Sequence, residues 1–503
     1  MPPASSPGLR GRTAPSRTGQ PASQLSRIRF RRAVTLMLMT LVLPGSAQLA
    51  AGNRKTGRIA LRILTVLAAV AVLLLLIGLL WSSFVFWLLS NMVFLAVVRF
   101  GLMALALGWA YLFVDAWRLG DPLALRQKQR LAMVGINGVL CFSVAGSLLF
   151  ASHVVTVQRD FIATMFSSST VTKAHQGRFN VLLLGGDSGT TRWGLRPDSI
   201  TVASIDAETG KTVLFGLPRN MLNFPFAKGS VMAEQFPHGY NCGPDCELNS
   251  LVTWAGDHAS LFKGYAQPGV EATEEAVEGI TGLKVNYYAM VNLNGFRNLV
   301  DAVGGVTLTV HDPIPMGAIG DFDGKSYLKP GTRKLNGNQT LWFARSRMAA
   351  DDYSRMARQK CVMNAMLQQL SPKDVVLKFG KIAKASTAMV KTDIPASELD
   401  RFMQLALKSR SQPVRTLSFV PPMIETYRPD IAKIKKAVTQ AVDASDGNGA
   451  PVKSGRASAD TAKSGGAKTK AKASPKVGTT GGSYGNIHDG YTANQTTNLG
   501  DAC

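Results

Sequence analysis

Apolar positions follow three rhythms along this chain. Up to about residue 157 they form long unbroken runs; from 178 to about 442 they recur at strand and helix periods; beyond that they nearly vanish. Residues 63–89, "ILTVLAAVAVLLLLIGLLWSSFVFWLL", carry no charge. At about 1.5 Å per helical residue such a run reaches roughly 40 Å, enough to cross a bilayer with some tilt. A second candidate span covers 92–117, interrupted by Arg99, and a third, 131–155, has no formal charge. The segment 33–50 is shorter and broken by Pro44 and Gly45, which leaves a span, a hairpin or an interfacial element open.

From residue 178 the pattern is that of a folded domain. "FNVLLLGGDSG" predicts a buried strand running into a glycine-bearing turn, and "DSITVASID" and "KTVLFGLPRN" predict two more strands. A helix is expected near 271–282, then the strand "NYYAMVN". "LNGFRNLVDAVGGVTLTV" reads as a helix closed by Gly304 and Gly305, followed by a strand. Helical signals at 337–345, 352–370, 373–386 and 396–409 precede a last strand, "VRTLSFV". Strands mixed with helices imply a layered α/β domain with a central sheet. The expected organisation is a basic leader (1–32), a membrane region (33–157), a domain over 174–442 and a tail (443–503). The tail is rich in Gly, Ser, Thr, Ala and Lys, too poor in large apolar side chains to offset ordering entropy, so disorder is expected there.

Charge adds the topology. The chain holds 56 Lys+Arg against 32 Asp+Glu, a net +24 that suits nucleic acid, anionic lipid or anionic polymers equally. Location separates these. The first 32 residues contain seven arginines, and the 52–62 and 118–130 loops four basic residues each, whereas 88–91 has none. With three crossings and 33–50 not crossing, every basic segment lies in the cytoplasm and the domain outside it, away from nucleic acid. A cleaved signal peptide fits poorly, because several apolar runs follow the leader.

The segment "ARSRMAADDYSRMARQK" collects Arg345, Arg347, Arg355 and Arg358 around Asp351 and Asp352. A solvated helix face would account for it through i,i+3 and i,i+4 pairs. Crowded guanidiniums repel unless anions lie between them, and arginine forks match phosphate oxygens. Arg355 and Gln359 share a helical face. Asp187 follows a strand, Arg196 and Asp198 open the next, and Arg219 ends a third; an Asp in such a place also serves as a simple turn residue. Val362, Met363, Met366, Leu367 and Leu370 form a stripe that is either core packing or a lipid-pocket wall. Cys242 and Cys246 in "NCGPDCE" are a candidate disulfide in an oxidising compartment, and Cys503 has no evident partner. The histidines show no zinc spacing.

In order, "LLLGGDSG", "RPDSI", "LPRN", "NGFRNLVDAVGGV", "LNGNQTLWFARSR" and "DDYSRMARQK" resemble the LytR-CpsA-Psr family of envelope phosphotransferases over roughly 178–370. The several spans and the basic Gly/Ser-rich tail resemble its actinobacterial branch. The resemblance implies an αβα sandwich with a mixed central sheet and a deep apolar pocket. It implies transfer of a glycopolymer from a polyprenyl pyrophosphate to peptidoglycan outside the cell membrane, releasing polyprenyl phosphate, with magnesium or another divalent cation. It makes Asp187 and Asp198 catalytic or metal-associated, Arg219 catalytic, and Arg196, Arg219, Arg345, Arg347, Arg355, Arg358 and Gln359 pyrophosphate-binding. Asn220 stands where many members have aspartate, and which of Asp351 and Asp352 matches the family's acid is open. The physical requirement agrees: phosphoryl transfer needs charge stabilisation and in-line placement more than covalent catalysis. Two other classes compete, a membrane-bound transcriptional attenuator and a non-catalytic wall-polymer-binding module.

Overall fold

The computed structural model describes residues 22–80, 84, 87–88, 91–166, 168, 170–187, 196–317, 325–347, 351–369, 390–447 and 493–503. The chain divides into two compact units, with a boundary near Thr156.

The first unit is helical. Helix α1 (Ala22–Val42) carries Arg27, Arg29, Arg31 and Arg32 in its first half and stops before Pro44, where Gly45 at φ 95° turns the chain into the short α2 (Ser46–Ala50). Proline lacks the amide a continuing helix needs, and a left-handed backbone favours glycine. Then follow α3 (Arg54–Leu80), α4 (Met92–Leu119) and α5 (Gln127–Met165). These three are long and apolar enough to cross a membrane.

The second unit begins with β1 (Arg178–Asp187), β2 (Arg196–Asp206) and β3 (Thr212–Leu217). After two short helices, α6 (Val231–Gln235) and α7 (Leu251–Asp257), come α8 (Pro268–Thr281), β4 (Tyr287–Asn292) and α9 (Leu293–Val303). Strands β5 (Val306–Val310), β6 (Ile314–Pro315), β7 (Tyr327–Leu328) and β8 (Gly331–Leu335) form two small antiparallel pairs, β5 with β8 and β6 with β7. Helices α10 (Gly337–Arg345) and α11 (Asp352–Gln369) follow, then β9 (Val390–Thr392), α12 (Leu399–Arg410), β10 (Arg415–Ser418) and α13 (Ile431–Asp446). The expected helix at 373–386 lies outside the described residues.

One six-stranded mixed sheet, in the order β10-β3-β2-β1-β4-β9, organises this unit. Alternation along its central strands sends side chains to two faces. Leu182, Leu184, Ile200, Val202 and Phe215 enter one core with Val270, Ala276 and Ile280 of α8 and Ile434 and Val438 of α13. Leu183, Ala203, Ile205 and Leu214 face the other way, toward Met363 and Leu367 of α11. Helices on both faces of a mixed sheet make an αβα sandwich. A further core lies beneath the β5–β8 pair, where Val300, Leu308, Phe343 and Cys361 meet. Gly337 shows how tightly α10 is set: a Cβ there would come within 2.0 Å of the Arg297 carbonyl oxygen of α9.

The tail departs from the sequence expectation at both ends. Residues to Asp446 continue α13, and the last eleven residues are packed, with Ala493, Asn494, Leu499 and Ala502 buried. Their partners lie far back in the chain, which a local compositional reading does not register. The basic stretch 450–478 falls outside the described residues.

Helix α8 presents Glu271, Glu274 and Glu278 near Asp393 and Lys284. Burial, then the charges of Glu275 and Glu278, push Glu271 up to about 7; burial raises Asp393 to about 6. A carboxyl with a raised folded pKa holds more protons folded than unfolded, so its contribution to stability is complete below about pH 4.5 and lost as pH rises toward 7. Glu271→Gln is therefore expected to raise the thermal midpoint at pH 8 and leave it nearly unchanged at pH 4.5, as read by thermal melts at both values.

Candidate active site

Four separate segments build the site, and each is fixed locally. The ladder between β1 and β2 slips, with Gly185 opposite Ser199 but Gly186 opposite Pro197, so Asp198 is the extra residue of a β-bulge. Strict alternation would send Asp198 to the core face with Ile200 and Val202; the bulge re-aims it, and it lines a cavity beside Ser199 and Thr201. Arg219 leaves the end of β3 just after Pro218. Its main-chain oxygen accepts a hydrogen bond from Asn249 N at 3.0 Å. Arg345 closes α10, a helix begun by an Asn336–Gln339 capping box. Helix α11 starts where Asp351 Oδ1 accepts from Ser354 N at 2.8 Å.

These segments converge on two carboxylates. Arg219 Nη1 meets Asp198 Oδ1 at 2.5 Å, and its Nε faces Asp352 Oδ1 at 3.3 Å. Arg355, with 1% of its side chain exposed, meets Asp352 Oδ2 at 2.9 Å and Asp198 Oδ1 at 3.5 Å. Arg347, 44% exposed, approaches Asp352 Oδ1 at 3.8 Å. Three guanidiniums against two carboxylates leave one surplus positive charge. Arg219 Nε, Arg355 Nε and the acceptor Asp352 Oδ1 are all buried without a directed hydrogen bond, so the cluster's hydrogen bonding is left open. Burial opposes the charge on Arg219, but Asp352 and Asp198 more than offset it and hold its pKa above the ordinary value. For Arg355 burial wins, and its pKa falls below the ordinary range despite the same two acids.

Beside the cluster lies a cavity of about 300 Å³ between the sheet and α9, α10 and α11. Its walls are Leu183, Ala289 and Val291 from strands, Leu293 and Phe296 from α9, Leu341 and Ala344 from α10, and Val362 and Met363 from α11; Asp198, Arg345 and Gln359 also line it. The guanidinium of Arg345 sits 5.4 Å from the ring centre of Trp342. Of the α11 stripe, Val362 and Met363 thus face the cavity. Met366 packs into the core under β5 and Leu367 into the one facing the sheet; Leu370 lies outside the described residues.

Not every sequence candidate joins the cluster. Arg358 is buried, and its Nη2 donates to the Ser346 main-chain oxygen; burial, then the neighbouring Arg355 charge, pull it down to about 10. It fastens the segment between Arg345 and Arg347, whose Ser346 Oγ also donates to Pro315 O at 2.8 Å. Gln359 Nε2 lies 3.4 Å from the Ala344 oxygen while lining the cavity. Arg196 is exposed at the start of β2, opposite Asp187 in the ladder; the Asp187 side chain lies outside what the structure describes. The sequence does not tell Asp351 from Asp352, which stand at i,i+4 and i,i+3 to Arg355; the helix start makes Asp351 the cap and Asp352 the arginine partner. Cys242 and Cys246 are joined, with Cα atoms 5.6 Å apart. Cys361 and Cys503 form a second disulfide, with Cα atoms 5.4 Å apart.

Removing one member of a buried ion network leaves the others uncompensated, which typically costs about 3–5 kcal/mol. Asp352→Ala is expected to destabilise the domain by that order and Asp351→Ala by about 1 kcal/mol, the usual loss for a cap. Urea denaturation of the two variants checks the difference.

The LytR_cpsA_psr family model matches residues 151–441, more than half of the chain. Biofilm regulatory protein A of Streptococcus mutans is 30% identical over 232 residues, 44% of this chain and 52% of that protein. Polyisoprenyl-teichoic acid--peptidoglycan teichoic acid transferase TagV of Bacillus subtilis is 24% identical over 53% of this chain and 65% of its own length. The corresponding TagU of Bacillus licheniformis is 25% identical over 54% of this chain and 80% of its own length. The aligned part thus spans about half of the first relative and just under two thirds of the second. Among solved structures, Bacillus subtilis TagV aligns with a TM-score of 0.39 at 23% identity over 54% of this chain and 98% of that one. With the sandwich, the bulge-borne Asp198, Arg219 after β3 and the arginines of α11 all inside the matched stretch, this chain belongs to the LytR_cpsA_psr family.

Proposed function

We propose that the chain is a membrane-anchored phosphotransferase that moves a glycopolymer from a polyprenyl pyrophosphate to a peptidoglycan hydroxyl on the outer side of the membrane. The observation carrying this reading is the adjoining of a net-cationic arginine cluster and an apolar cavity at Asp198. Such a pairing suits an amphiphile with an anionic head and a hydrocarbon tail. Supporting it, relatives in the same family are named teichoic acid transferases.

In this mechanism the prenyl chain enters between Phe296, Leu341 and Met363, and the pyrophosphate displaces Asp352 from part of its contact with Arg219, Arg347 and Arg355. The guanidiniums then stabilise charge on the phosphoryl oxygens as the bridging bond breaks, the kind of preorganised contribution worth about 10²–10³ in rate per donor group. Arg358 and Gln359 hold the Ala344–Arg347 segment, and through it Arg345 and Arg347. Asp198, on the cavity wall, accepts the proton of the attacking hydroxyl. Among the described residues no group of three or more His, Cys, Asp or Glu is suited to hold a metal. That donor set still fits magnesium, which uses one or two carboxylates and takes its remaining oxygens from phosphate and water. Asp187, at the end of β1, would hold it while Asp198 keeps the proton-accepting role, and when bound it would add positive charge at the pyrophosphate.

The three apolar helices and the distribution of basic loops support three crossings with an external domain. Phosphatase fused at residue 445 is expected to be active and a cytoplasmic reporter there silent; the opposite pattern would revive the attenuator reading. Purified full-length protein with synthetic polyprenyl-pyrophosphate donor, magnesium and a glycan acceptor is expected to release polyprenyl phosphate. Arg347→Ala, at a half-exposed position, should keep the thermal midpoint and lower turnover by about 10²-fold or more. Binding of donor without release in the wild type would instead identify a polymer-holding module.

A further inference from the structure

Helix α11 carries the site in its first two turns and an anchor immediately after. Asp352, Arg355 and Gln359 are followed by Lys360 and Cys361, both buried, and these two meet the last eleven residues of the chain. Cys361 is bonded to Cys503. Lys360 Nζ donates to the Asn494 main-chain oxygen at 3.2 Å, and Asn494 Nδ2 donates to the Tyr353 oxygen at 2.6 Å, within the turn that bears Asp352 and Arg355. The same segment is tied to the sheet. Thr416 N donates to Thr497 O at 2.9 Å, Leu499 N donates to Val414 O at 2.8 Å, and Asn494 Oδ1 accepts from Ser418 Oγ at 3.3 Å. Residues 493–503 therefore cover the otherwise open edge of β10 and grip α11 at three points along its length.

From this arrangement we propose that Asn494 and Cys503 are positioning residues for the transfer reaction, locking α11 to the sheet edge so that Arg355 and Asp352 keep their register against Asp198 and Arg219. The physical ground is the division of the site between elements. Asp198 lies on β2 and Arg219 in the turn that follows β3, whereas Arg355 and Asp352 belong to a helix that could slide over the sheet. The contacts to be preserved are 2.5–3.5 Å long, and a displacement of about 1 Å at a reacting centre can cost on the order of 10² in rate. Covalent attachment at Cys361 fixes the helix along its axis, and the Asn494–Tyr353 hydrogen bond fixes its first turns. Lys360 adds to this. Burial holds its amine down to about 7, and the strap carbonyl is the acceptor it meets.

This inference rests on the phosphotransferase reading, and the test separates the two. Full-length wild type, Asn494→Ala and Cys503→Ser, purified in detergent without reductant, are assayed with synthetic polyprenyl-pyrophosphate donor, glycan acceptor and magnesium. Donor and acceptor are titrated separately, and thermal midpoints are recorded alongside. Expected for both variants is a turnover about tenfold lower and a severalfold higher KM for donor, with KM for acceptor unchanged and the midpoint within a few degrees of wild type. Wild-type kinetics in both variants would overturn the proposal. So would a rise in both KM values in step with a fall in midpoint, which is the mark of general loosening. Should Cys503→Ser fail to fold, Asn494→Ala, which leaves the disulfide intact, decides alone. A wild type that neither binds nor turns over the donor overturns the phosphotransferase reading itself, and this inference with it.

Discussion

A guanidinium almost wholly removed from water is tolerable only when oxygen acceptors replace its hydration, and Arg355 meets that condition through the carboxylates of Asp352 and Asp198. Asp352 lies on the same helix, but Asp198 lies on β2 and is shared with Arg219 from the end of β3. The charge balance of one buried side chain therefore requires three elements to hold fixed distances. Much of the architecture serves that requirement: the core under α8 and α13 keeps the strands in place, and the core beneath the β5–β8 pair seats α10 and α11. The bulge at Gly185–Gly186 then turns the acid out of the core.

The network is balanced incompletely. A surplus positive charge and buried guanidinium nitrogens without directed hydrogen bonds surround Asp198, which itself lines a cavity whose walls are almost entirely apolar. A purely structural ion network would be expected to close its hydrogen bonds, since unmet buried donors cost free energy. Here the unmet donors, with Asp352 Oδ1 as an unmet acceptor beside them, lie next to the carboxylate that reaches the apolar cavity. Much of the chain's basic excess lies elsewhere in the sequence, in the leader and the loops between apolar helices.

The return of the C-terminus changes how the domain is bounded. An edge strand as short as β10 offers unpaired backbone groups, and 493–503 pairs with it while also reaching α11. Composition in the preceding tail says nothing of this, because eleven residues with a few small apolar side chains, Asn494 and a terminal cysteine look like the rest of a polar tail until their partners are known.

Periodicity and local chemistry were enough for the apolar helices, for β1 to β4, for α9 to α11 and for the order of motifs, because those features are written in neighbouring residues: uncharged runs, alternation, caps such as Asn292 and Asn336, and Gly304 at a helix end. The need of the crowded arginines for counter-charges was legible for the same reason, and the structure supplies two of them as Asp198 and Asp352. What only the tertiary structure decided are relations between distant segments. It separated Asp352 from Asp351 and made Arg358 a fastener of the Ser346 carbonyl. It turned Asp198 through a bulge, divided the α11 stripe between cavity and core, and paired Cys361 with Cys503. Each depends on where a side chain ends after the sheet and helices have packed, a quantity that spacing along the chain does not contain.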